Sequence, residues 1–145
     1  MTGEMELLAY LDENIRMGKE ALETLAIKLE KTDNKIKCAV DDALAVYKKY
    51  SHKCKELLGR GNEKEKHGNL FAVLMNKMNS NAEFAKDNSD SHIADMLIQG
   101  YNMGIIDITK KLKKFKGELD EETAMFAENY RDMMQERIEQ MKEYL

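Results

Sequence analysis

The chain has no proline and no tryptophan, three valines and two cysteines, and no long uncharged apolar stretch. Without proline, no helix is forced to kink or stop at a ring that lacks an N–H. So few β-branched valines remove the enrichment that strands carry, and a β-rich sandwich or barrel is excluded. Nothing approaches the roughly 18 apolar residues that a membrane span requires. Charge of one sign is also lacking: 27 acidic residues stand against 23 basic ones, net −4, and leave no electrostatic footprint for a nucleic-acid partner. The first six residues, Met-Thr-Gly-Glu-Met-Glu, hold no basic region and no apolar run, so no secretory leader is expected. Cys38 and Cys54 are placed on one helix, about 24 Å apart along its axis at 1.5 Å per residue. That is far beyond disulfide reach, and a reducing cytoplasm is the expected location.

What is present is helical material. Ala, Glu, Lys, Arg and Leu make up close to half of the 145 residues, the composition of long helices. The spacing predicts a first helix over about 4–31, with the seam Leu8, Leu11, Ile15, Gly18, Leu22, Leu25 and Leu29. Its +3, +4 steps are those of a helix packed nearly parallel to its neighbours. Thr32-Asp33-Asn34 offers a turn and an N-cap. A second helix reaches Leu58 on the seam Ile36, Val40, Ala43, Tyr47, Tyr50, Cys54 and Leu57. So short a turn makes the pair an antiparallel hairpin. Gly59 to Asn62 end it, residues 63–69 read as charged loop, and a shorter helix is expected over about 69–86. The cap-rich run Asp87 to Ser91 starts another helix to Lys116, which Gly117 stops, with Ile93, Leu97, Gly100, Tyr101, Gly104, Ile105, Ile108, Leu112 and Phe115 inward. Asp120-Glu121-Glu122 then begins the last helix at the positive end of its dipole, with the seam Ala127, Tyr130, Met134, Ile138, Met141 and Leu145.

The expectation is one all-α domain over 1–145: a helical hairpin at 4–58, a crossover with a short extra helix at 59–88, and a second hairpin at 89–145. An up-down four-helix bundle with one long crossover has this connectivity, as ferritin-like folds do. The stretch Ser89 to Ile105, which fits SDSxIADMLIxGxNMGI, resembles a group of small, uncharacterised ferritin-like four-helix-bundle proteins of low-GC Gram-positive bacteria. The likeness extends loosely over most of the chain. It implies the fold and no activity, since that group has none established to carry over.

Candidate chemistry is sparse. A carboxylate-bridged di-iron centre needs Glu from two helices and Glu-x-x-His from two more. Here the residues three before His52, His67 and His92 are Lys49, Lys64 and Ser89, and Asp12, Glu13, Glu20, Glu23, Glu136 and Glu139 point away from their seams. A histidine phosphotransfer module is an alternative through His52, which has Lys55 at +3; Glu56 at +4 would repel a phosphoryl group. His92 has Asp95 within pairing reach. Cys54 reads as core, and Cys38 as an exposed thiol near a helix start, whose reactivity the sequence leaves open. Lys110, Lys111, Lys113, Lys114 and Lys116 complement a helix C-terminus and are followed by acids at 118 and 120–122. No catalytic, cofactor or metal site is therefore assigned.

Interaction is the remaining function class. From Ile93 to Ile108 only Asp95 and Asp107 are charged, and a helix apolar nearly all round should be covered nearly all round. Met96, Met103 and Ile106 fall outside the inner stripe, so either the crossover helix or a second copy covers them; a two-fold homodimer is the preferred expectation, with an unidentified protein partner as the other. Gly100 and Gly104, four apart on the inner stripe, mark either close approach of a neighbouring helix or a helix break. Of the eleven methionines, Met5, Met17, Met103, Met125 and Met133 are off-seam and fit either a partner surface or a core wider than the seams. The expected function is non-enzymatic: a ferritin-like bundle acting by self-association or protein–protein contact.

Overall fold

Two glycines in the left-handed region, Gly59 (φ 64°) and Gly117 (φ 88°), end two helices at the places the sequence marks for them. Both fit the C-terminal role of a residue without a Cβ penalty. The computed structural model describes residues 2–59 and 87–145. It contains α1 (Gly3–Leu29), α2 (Lys37–Leu58), α3 (Asp90–Lys114) and α4 (Glu121–Lys142), and no strand among the described residues. The expected helix over 69–86, the charged loop and His67 lie outside the described residues.

α1 packs along α2 and α3 along α4, and the two hairpins meet through α1 with α3 and α2 with α4. Cross-links give the directions. Lys53 reaches Glu122 and Tyr50 reaches Asn129, so α2 and α4 are antiparallel. Tyr10 reaches Asp107 and Lys114 reaches Glu6, so α1 and α3 are antiparallel too. Consequently α2 and α3 run the same way, and Gly59 and Asp87 lie at opposite ends of the bundle.

The seams are the core. Every seam residue of α1 is buried, as are Ile36, Val40, Ala43, Tyr47 and Cys54 of the second and Ala127, Tyr130, Met134, Ile138 and Met141 of the last. Tyr50, Leu57, Ile105 and Leu112 are only partly buried at the edge of the core, and Leu145, past the end of α4, is 60% exposed. The buried arc is wider than one seam because each helix touches two neighbours, which brings in Leu7, Met17, Ala21, Met133 and Phe126.

Caps also separate local from distant causes. Ser89 accepts from His92 N (3.2 Å) and Asp120 from Thr123 N (2.8 Å), as the sequence suggests. The start of α2 is a correction. Thr32-Asp33-Asn34 does not cap it; its N-cap is Ile36, without a side-chain bond. Thr32 instead bonds back to Leu29 O, and the carboxylate of Asp90, from the start of α3, accepts from Lys35 N (3.1 Å), Ile36 N (3.4 Å) and Asn34 Nδ2 (2.9 Å). A charged acceptor thus serves the backbone N–H of the N-cap, 54 residues away, and of the residue before it. Asp90→Ala should cost about 1–2 kcal/mol, whereas Asp42→Ala, exposed on α2, should leave a thermal melt unchanged within error. Equal melting midpoints for the two variants would contradict this cap.

Candidate functional site

The candidate surface from the sequence is the outer side of α3. Met103 (39% exposed) and Ile106 (46%) lie there, three residues apart on one face. Met96 does not join them. It is 8% exposed and belongs to the core cluster, because the covered arc of α3 reaches further round than its inner stripe. Gly100 and Gly104 are both buried in unbroken helix, which excludes the helix-break alternative. At Gly104 an added Cβ would meet Met134 Sδ at 2.9 Å, the far end of a flexible side chain. The off-seam methionines divide the same way: Met17 and Met133 are buried, Met5 is partly buried, and Met103 and Met125 are exposed.

The outer residues of α3 form a continuous exposed strip: Ser91, Asp95, Gln99, Asn102, Met103, Ile106, Lys110 and Lys113. Its N-terminal half carries an acid, its middle the two apolar side chains, and its C-terminal half lysines. Asp95 accepts from Gln99 Nε2 at 3.2 Å. It does not pair with His92, whose Nδ1 faces Asp87 Oδ2 at 3.9 Å. Two lysines of the cluster engage α1: Lys111 Nζ lies 4.8 Å over the Tyr10 ring, and Lys114 reaches Glu6 at 3.5 Å.

A second feature was not legible in the seams: a polar chain through the bundle centre. Tyr130 donates to Asn14 Oδ1 (2.7 Å), Asn14 Nδ2 makes a long 3.5 Å contact to the Tyr10 hydroxyl, and Tyr10 donates to Asp107 Oδ2 (3.1 Å). Burial, and after it the Asp107 carboxylate, raises the Tyr10 phenol well above its ordinary value. Burial also drives Tyr47, Tyr101 and Tyr130 strongly upward, so all four stay protonated. The rings pack against one another, Tyr47 tilted at 37° to Tyr101 with centres 6.4 Å apart and edge-on to Tyr130 at 5.8 Å. The Tyr101 hydroxyl is buried without a hydrogen-bond partner among the described residues; that of Tyr47 lies near Tyr130, outside hydrogen-bonding geometry. Asn14 is the one polar residue on the buried stripe Leu7, Leu11, Asn14, Gly18, Ala21 and Leu25, and that is the signal through which sequence reasoning could have found the chain.

This arrangement ties α1 to α3 and to α4. Among the described residues no three His, Cys, Asp or Glu side chains gather into a group that could hold a metal ion. His52 is exposed and its Nε2 is engaged by Glu56 Oε2 at 3.0 Å, the residue expected to oppose phosphotransfer. Both cysteines are free, Cys38 exposed and Cys54 buried against Leu8 O. Burial pushes the Cys54 thiol up to about 12. A raised value in the folded state keeps it protonated while an unfolded thiol ionises, so its contribution to stability is intact below the ordinary thiol range and is lost as pH rises toward 12. At pH 8 Ellman's reagent should therefore titrate one thiol per native chain and two after denaturation, with Cys38→Ser abolishing the native reaction. Two fast thiols in the native protein would refute this burial.

No helix among the described residues is long and apolar enough to cross a membrane. No family model, no curated protein and no solved structure matches the chain.

Proposed function

We propose that this chain is a ferritin-like helical bundle that works by association, pairing with a second copy through the outer strip of α3 as a two-fold homodimer. The observation that carries the reading is the order of residues along that exposed strip. Two α3 helices crossing antiparallel near Asn102 and Met103 bring Ile106 and Met103 of both copies together. The same crossing sets Asp95 of each copy opposite Lys110 of the other, about 11 Å on either side of the centre at 1.5 Å per residue. A strip that is acidic at one end, apolar in the middle and basic at the other is complementary to itself. The ferritin-like assignment is supported by two antiparallel hairpins whose inner connection joins opposite ends of the bundle, from Gly59 to Asp87. Two free thiols suit a reducing compartment, and the cytoplasm is the location proposed.

Light scattering after size exclusion tests the reading. Wild type should give twice the 16.8 kDa chain mass, and Ile106→Glu a folded monomer. Asp95→Lys and Lys110→Asp should each weaken the dimer, and mixing the two variants should restore it by matching the charges across the axis. A wild-type monomer at high micromolar concentration ends the proposal.

A further inference from the structure

We propose that the bundle interior between α2, α3 and α4 binds a small monoanion, a halide or a formate-sized carboxylate, on the hydroxyls of Tyr47 and Tyr101 and the Nε–H of Arg137. All three are buried polar groups without a hydrogen-bond partner among the described residues. Such orphans are rare in folded proteins, and a bound ion is one of the few things that satisfies them. The two phenols come from α2 and α3, which are not packed against each other. Their rings nevertheless meet across the bundle, with centres 6.4 Å apart. Tyr47 is 0% and Tyr101 2% exposed, an enclosure that limits the ion to a small one. Gln140, one turn on from Arg137, has its Oε1 buried and unpartnered too, and its amide can turn to add an N–H donor.

Arg137 gives the site its sign. It follows Met133 by one turn on the buried face of α4 and has no ion pair among the described residues. Its Nε is buried while the residue as a whole is half-buried, so the guanidinium stands between the interior and solvent and marks the way in. Burial raises both phenols, and in each the Arg137 charge pulls the other way, which puts that cation beside both hydroxyls. Among the described residues no carboxylate acts on Tyr101. Asp107 is engaged by Tyr10, and the exposed Glu136 acts on Tyr50 instead. Two O–H donors and an N–H donor therefore surround an interior whose acting charge is positive. Water would satisfy the hydroxyls but leave a partly buried cation without a counter-charge; one monoanion satisfies both. This site is separate from the α3 strip and stands whether or not that strip dimerises.

Tyrosine difference absorption of the full chain tests it, titrated with sodium bromide at an ionic strength held constant with sodium gluconate. A saturable shift of the phenol band is expected, together with a melting midpoint that rises with bromide concentration. Sodium formate should compete with bromide. Tyr101→Phe removes a hydroxyl that has no partner, so in gluconate alone it should melt at or above wild type. Its affinity for bromide should nevertheless fall at least tenfold. Arg137→Gln should abolish the titration, and Ile106→Glu, on the outer strip, should leave it unchanged. No saturable change at constant ionic strength overturns the proposal and leaves water as the occupant. Wild-type affinity in Tyr101→Phe or in Arg137→Gln places the ion elsewhere and overturns it as well.

Discussion

Gly18→Ala is expected to lower the melting midpoint by roughly 5–10 °C, although alanine is the better helix former. A new Cβ at this position would lie 2.5 Å from Tyr47 Cε2 and 3.2 Å from two further ring atoms. The ring has little room to retreat, because it is fully buried and held between Tyr101 and Tyr130. The propensity gain of about 1 kcal/mol is therefore outweighed by overpacking of about 1–3 kcal/mol net. Gly104 supplies the control. There the nearest atoms are Met134 Sδ and Cε, at 2.9 and 3.1 Å, the far end of a flexible side chain. Gly104→Ala should be nearly neutral, and only Gly104→Leu, which must displace Met134 altogether, should cost about 1–3 kcal/mol. Thermal melts of the three variants decide the matter. A Gly18→Ala protein that melts at or above wild type would show that α1 and α2 have room to separate at this point.

Breaking the central hydrogen bond should be comparably costly. Tyr130 and Asn14 share a buried 2.7 Å contact, and removing either group strands the other away from water. Tyr130→Phe and Asn14→Leu should each destabilise by about 1–3 kcal/mol. The double variant replaces both polar groups by apolar ones and leaves Tyr10 its bond to Asp107. It should be milder than the sum of the singles by at least about 1 kcal/mol. Strict additivity in denaturant melts would mean that the two side chains do not depend on each other for stability.

Much of this molecule is local, and local features were legible. The helix seams repeat at +3 and +4, and that repeat alone placed Leu11, Ile15, Leu22, Val40, Tyr47, Ile108 and Tyr130 in the core. Gly59, Ser89, Gly117 and Asp120 punctuate the helices through their own backbone and side-chain chemistry, which no distant residue needs to complete. The outward placement of Met103 and Ile106 also followed from angle alone. Met96 did not, since the angle at which burial begins is set by where two neighbouring helices lie.

Repeat and punctuation along the chain carried the helical class, the four long helices, most of the interior and the absence of any Glu-x-x-His pattern. It took the meeting of helices to set Asp90 against an N-cap 54 residues earlier and the Tyr47 ring against Gly18. The same holds for the polar chain from Tyr130 through Asn14 to Tyr10 and Asp107, and for the unpartnered groups that Tyr47, Tyr101 and Arg137 bring in from three helices. Periodicity reports which way a side chain faces within its own helix, because 3.6 residues fix the angle. It carries nothing about which residue of another helix stands opposite, at what height and how near, and each of those sites is made from such a meeting.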